Sequence, residues 1–135
     1  MNTFNVYLTS KGSKTYFPGN QSSNFTNLLA FPLTNMLNYK VCLSGCVFSP
    51  SLPENTVAHI CSDIVLGSLY NDNKLPIISV VGRDTTCFTK PIYTRVARDT
   101  VSAITISLTD ASGQPLTLTN DVFLTLTFKE IKNTI

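Results

Sequence analysis

The sequence predicts an all-β sandwich, and three observations predict it. Apolar and polar residues alternate at period two in several segments. Clusters of turn-forming residues recur roughly every ten residues. No stretch holds a convincing helical period, while Thr, Val, Ile, Phe and Tyr, which pack well on a pleated surface, are well supplied.

The first strand is expected over Thr3–Thr9, where Phe4, Val6 and Leu8 alternate with Asn5 and Tyr7. Turn clusters at 10–13 and 18–23 separate it from a second strand over 25–33. The third strand is Tyr39–Phe48, closed by the Pro- and Ser-containing cluster at 49–55. The fourth is expected over 57–65. Residues 58–70 also admit a helical reading, but Val57, Ile60, Ile64 and Val65 are β-branched and lose χ1 freedom in a helix, so a strand running into a turn is favoured. After a turn at 70–74 comes Ile77–Val81, then a turn at 82–85 and a strand over 86–93. The seventh strand, 102–109, alternates Ile104, Ile106 and Leu108 with Thr105 and Ser107. A turn at 110–114 precedes the eighth, 122–131, which directs Val122, Leu124, Leu126 and Phe128 to one face.

Eight short strands in a chain of 135 residues fit one domain, residues 1–135, built as a single eight-stranded jelly-roll sandwich. An immunoglobulin-like sandwich is the rival, but its Cys, Trp, Cys pattern has no counterpart in a chain without Trp.

Composition narrows the function classes. With 43% hydrophobic residues the chain is not disordered. Charged residues make up 13%, about half the usual share of roughly 25%. Ten basic against eight acidic residues give a net charge of +2, too weak to argue for nucleic acid or an anionic membrane surface. Apolar runs such as Ile77-Ile78 and Val80-Val81 fall far short of the roughly 20 residues of a membrane-spanning helix. Residues 1–10 lack a basic start followed by an apolar core, so no signal peptide is expected. Cys42, Cys46, Cys61 and Cys87 are then expected as reduced, mostly buried thiols, and the sequons at Asn20 and Asn24 as unused.

Catalytic chemistry finds little to work with. A cupin-type metal enzyme needs several His ligands, and His59 stands alone. A Ser, His, Asp triad needs the same His59, and Leu43-Ser44-Gly45 lacks the flanking glycines of a nucleophile elbow. Cys42, Cys46, His59 and Cys61 are the one set with zinc-ligand chemistry, provided each pair shares a strand face and the strands are adjacent. Their spacing, Cys-x3-Cys and His-x-Cys within strands, suits small buried side chains better than knuckle turns. The carboxylates Glu54, Asp63, Asp72, Asp84, Asp99, Asp110, Asp121 and Glu130 fall mostly in turns and form no acid–base pair by sequence. No glycine-rich phosphate loop is present. Arg83, Lys90, Arg95 and Arg98, interleaved with Phe88 and Tyr93, form a mild basic cluster that reads as a solvated or interface patch rather than a nucleic-acid site. Tyr70-Asn71-Asp72-Asn73 is the one loop with a lectin-like grouping, and it reads equally as a turn. No catalytic, cofactor-binding or metal residue is expected, and no cofactor.

Taken in order, several stretches resemble the penton, or minor capsid, proteins of Polinton/Maverick elements and adintoviruses. Leu8-Thr9-Ser10, Tyr16-Phe17-Pro18-Gly19-Asn20 and Ser22-Ser23-Asn24-Phe25 are similar to that family's first strand and loop. Leu28-Leu29-Ala30-Phe31-Pro32-Leu33 looks like its "Leu, any two or three, Pro-Leu" strand, and Tyr39-Lys40-Val41-Cys42-Leu43-Ser44-Gly45 like the strand after it, where the family often has a Trp. Cys61-Ser62-Asp63-Ile64-Val65-Leu66-Gly67 resembles a Cys-Asp-Ile-Val strand with Ser62 inserted. Residues 76–81, Pro91-Ile92-Tyr93-Thr94-Arg95-Val96, Ile104-Thr105-Ile106-Ser107-Leu108-Thr109-Asp110, Gly113-Gln114-Pro115-Leu116 and 122–128 are similar to the remaining segments. Each motif is short; the resemblance lies in the ordered set, which covers almost the whole chain.

The resemblance implies a non-enzymatic virion protein, a homopentamer at the five-fold vertices of an icosahedral capsid. Its implied partners are further copies of itself, the major capsid protein of the same virus or element, and a fibre or receptor. The implied location is the virion, with the host cell during assembly. A carbohydrate- or receptor-binding jelly-roll module is the alternative. The charge deficit agrees with a tile covered by neighbours.

Overall fold

The computed structural model describes residues 2–48, 57–66, 68–70, 73–82, 92–118 and 121–131. The strands are β1 (Thr3–Thr9), β2 (Asn24–Leu33), β3 (Tyr39–Phe48), β4 (Ala58–Ser62), β5 (Ser68–Tyr70), β6 (Asn73–Leu75), β7 (Ile77–Val81), β8 (Thr94–Arg95), β9 (Val101–Thr109) and β10 (Val122–Glu130), with one 3-10 turn over Met36–Asn38. Two four-stranded antiparallel sheets, ordered β1-β10-β3-β8 and β2-β9-β4-β7, form a sandwich, and β5 and β6 pair as a separate hairpin.

The pairings are nested. β1 pairs with β10, β2 with β9, β3 with β8 and β4 with β7. Two further ladders, β10 with β3 and β4 with β9, complete the sheets. Because every pair is antiparallel, no crossover helix is needed.

Period two decides what lies inside. Val122, Leu124, Leu126 and Phe128 of β10 are buried, while Phe123, Thr125, Thr127 and Lys129 alternate outward. Ile104, Ile106 and Leu108 of β9 face them from the second sheet, with Phe25 of β2 directly opposite Ile106. Phe4 lies opposite Phe128, their rings stacked at 5.1 Å, and Phe4 also meets the Tyr39 ring edge-on at 5.7 Å. Such aromatic pairs add about 0.5–1.5 kcal/mol beyond the area they bury.

Strands β1, β3 and β7 match the boundaries expected from sequence, and β2, β9 and β10 match within a residue. Three expectations need correction. The expected strand 57–65 ends at Ser62, because the Asp63 carboxylate accepts the Thr105 N–H at 3.0 Å and turns the chain. Ile64 and Val65 are buried beyond that turn, Val65 in a single bridge with Val96. Around the turn expected at 70–74, Ser68–Tyr70 and Asn73–Leu75 pair as the short strands β5 and β6. Within the expected strand 86–93, residues 86–91 lie outside the described residues, Ile92 and Tyr93 belong to no strand, and the described pairing with β3 is made by Thr94 and Arg95. The turn at 49–55 and most of that at 82–85 also lie outside the described residues.

Candidate functional site

The cysteines of β3 do not share a face. From Phe128 to Leu126, the β10 partners run in step along Val41, Cys42 and Leu43; then Thr125 pairs with Gly45 and Leu124 with Cys46, leaving Ser44 as an extra residue. This bulge reverses the alternation. Val41, Leu43 and Cys46 therefore join the core, and Cys42, opposite Thr127, faces away from it. Ser44 holds the bulge from outside: its hydroxyl donates to the Thr125 carbonyl at 3.2 Å and accepts from the Thr127 hydroxyl at 2.8 Å.

Cys42 is fully buried even so, and its thiol is hydrogen-bonded to the Tyr93 side chain. Burial raises the thiol pKa above its ordinary value; the hydrogen bonds with Tyr93 and the Thr127 backbone oppose that rise. Burial pushes Cys46 up to about 11. His59 and Cys61 do share a face of β4, but in the other sheet, opposite Thr109 and Ser107 and away from the core residues Ala58 and Ile60. Burial raises Cys61 as well, against a hydrogen bond with Thr109.

The zinc-type set is thus divided among three places, and among the described residues no three His, Cys, Asp or Glu side chains converge as a metal site. Cys87 lies outside the described residues. Ser44, the serine of the stretch compared with a nucleophile elbow, and His59 sit on different sheets.

The basic cluster also separates. Arg83, Phe88 and Lys90 lie outside the described residues. Arg98 donates to Asp63 at 3.0 Å, a pair in which both side chains remain well exposed. Arg95 sits elsewhere, opposite Lys40 of β3, and Lys40 in turn sits opposite Lys129 of β10. Lys40 and Lys129, which sequence reasoning passed over, hold their ammonium groups 5.0 and 6.0 Å from the centre of the Tyr93 ring. Of the lectin-like group, Asn71 and Asp72 lie outside the described residues.

The two sides of the sandwich differ. On the β1/β2 side an apolar groove of about 210 Å³ is lined by Phe4, Val6, Leu29, Phe31 and Leu33, together with Asn5 and Ala30. Phe31 is 68% exposed at its lip. β2 is an edge strand there, and Pro32, with no N–H to donate, fits an edge. At the other edge, Val80 of β7 is exposed, and Ile92, two residues before β8, is 80% exposed. A more polar open cleft of about 440 Å³ lies between Gln21, Ser22 and Ser23 and the segment Pro115, Leu116, Thr117 and Leu118. Sequence alone signals the groove only through Phe31, an aromatic residue beside a proline in a strand. Among the described residues no helix is long and apolar enough to cross a membrane. The chain matches no protein-family model and no curated protein.

Proposed function

We propose that this chain is a structural shell protein: a penton, or minor capsid protein, whose sandwich is a jelly roll and which forms homopentamers at the five-fold vertices of an icosahedral capsid. The jelly-roll reading is supported by the nested pairing of first strand with last, second with second-last and so inward, as in one long antiparallel ribbon wrapped into two sheets. The resemblance of the ordered sequence motifs to Polinton and adintovirus penton proteins supports the vertex role.

The observation that carries the assembly is the inequality of the two edges. A closed ring requires heterologous contacts, in which one patch of each copy fits a different patch of the next. The groove beside Phe31 is one such patch, and the exposed Ile92 and Val80 at the other edge supply a different one. The 13% charged content leaves much neutral surface for neighbours to cover. The protein on this reading performs no catalysis; its partners are its own copies, the major capsid protein and a fibre or receptor, and it resides in the virion.

Light scattering across a concentration series tests the assembly. The expected species is about 74 kDa, five times the 14.8 kDa chain, and Phe31→Asp is expected to reduce it to monomer. A dimer or trimer at every concentration overturns the reading. A carbohydrate- or receptor-binding module is the second reading, favoured only by the polar cleft beside Ser22 and Thr117. Glycan-array binding that is lost in Thr117→Trp would replace the shell reading with that one.

A further inference from the structure

Lys129, Lys40 and Arg95 occupy directly opposed positions on three adjacent strands, β10, β3 and β8. They therefore form one row across the outer face of the first sheet, spanning roughly 10 Å at the usual strand spacing. Like charges directly opposite one another destabilise a sheet. Among the described residues no carboxylate forms an ion pair with any of the three; the ion pair present is that of Arg98 with Asp63. Residues that alternate to the same face of β1 and β10, namely Thr3, Asn5, Tyr7, Thr9, Phe123, Thr125 and Thr127, carry no acid. Tyr93 softens the repulsion by lying beneath both lysines, but it supplies no counter-charge. Arg95 donates to the Leu37 carbonyl at 3.5 Å, which brings no formal counter-charge, and natural proteins keep local conflicts of this kind chiefly at functional surfaces.

We propose that this row is a docking site for an extended acidic segment of a partner protein. Charge complementarity selects the chemistry, and the length of the row sets the extent of the segment. In an extended peptide, side chains on one face recur about every 7 Å, so two carboxylates at alternate positions fit within the roughly 10 Å of the row and are shared among its three long cationic side chains. Nucleic acid fits less well. Three cations fall short of the six to ten phosphate contacts of a typical duplex footprint. The two ammonium groups over the Tyr93 ring also obstruct the stacking platform that single strands use. The inference rests on the cation row alone and stands apart from the shell reading.

The test is titration of the full chain, at low ionic strength, with an octapeptide alternating Glu and Thr. Its Gln-for-Glu counterpart and octathymidylate are titrated in parallel. The Glu peptide is expected to bind, the Gln peptide not to bind, and octathymidylate to bind more weakly than the Glu peptide. K40Q/R95Q/K129Q is expected to lose affinity for the Glu peptide about tenfold or more. K11Q/K14Q/R98Q removes three cations elsewhere and is expected to keep most of that affinity. Relief of repulsion predicts that the single variant K129Q unfolds at an unchanged or higher denaturant midpoint, so it serves for the comparison if the triple variant does not fold. Failure of the Glu peptide to bind overturns the proposal, as does equal affinity for both triple variants. Row-dependent binding of octathymidylate tighter than that of the Glu peptide overturns it in favour of a phosphate ligand.

Discussion

The side-chain amide of Asn27 makes the backbone hydrogen bonds that a strand neighbour would make to Thr9. Its Oδ1 accepts the Thr9 N–H at 2.9 Å, and its Nδ2 donates to the Thr9 carbonyl at 3.0 Å. Asn27 is on β2 and Thr9 at the end of β1, so this pair of bonds ties the two sheets together at one edge of the sandwich. Asn27 is itself buried, which makes the bonds costly to lose. Gly12 completes the joint: a Cβ there would come within 3.1 Å of the Thr9 side chain and 3.3 Å of the Asn27 amide.

Asn27→Leu is expected to destabilise by about 1–3 kcal/mol, because it leaves the Thr9 N–H against an apolar group. Gly12→Ala is expected to act in the same direction by displacing the Asn27 amide. Urea titration measures both, and a loss below about 0.5 kcal/mol for Asn27→Leu would show that the joint is dispensable.

The face assignment of β10 gives a contrast within one strand. Phe128 is fully buried against Phe4, whereas Phe123 is partly exposed on the other face. Phe128→Ala is expected to cost about 3–5 kcal/mol. Phe123→Ala is expected to cost about 1 kcal/mol or less, chiefly its contact with Lys11. Equal losses in a denaturant series would mean that the inward face has been misassigned.

Thiol burial predicts an alkaline limit to stability. Burial raises Cys46 from 9.0 to about 11, and Cys42 and Cys61 move in the same direction. A raised folded-state pKa means that the unfolded chain loses its protons first. This contribution is complete below about pH 9 and declines as pH rises toward 11. Denaturant midpoints are expected to hold between pH 7 and 8.5 and to fall across pH 9–11. Cys46→Ala is expected to fall less steeply, whatever its baseline. Parallel pH profiles for the two proteins would contradict this.

Much of the sandwich is legible in the sequence, because period two needs no partner to be visible. The alternation at Ile104, Ile106 and Leu108 and at Val122 through Phe128 places the core correctly. What escapes is whatever depends on register. The extra residue at Ser44 arises only from pairing with β10, and it sends Cys42 and Cys46 to opposite faces although their spacing puts them on one. Three-residue strands such as β5 and β6 are too short to show a period. Asp63 ends β4 by using its side chain as a backbone acceptor, which the β-branched residues after it conceal. Arg95 stands out in sequence within a basic cluster, but its neighbours in space, Lys40 and Lys129, lie far off along the chain. The exposed groove on the β1/β2 side likewise draws its lining from two separate segments.

An icosahedral reconstruction of the assembled particle is the decisive measurement for the proposed vertex role. Five copies of this sandwich are expected around every five-fold axis, with the Phe31 edge of each copy against the Ile92 edge of the next. Five-fold positions occupied by a different protein, with this chain absent from them, would contradict it.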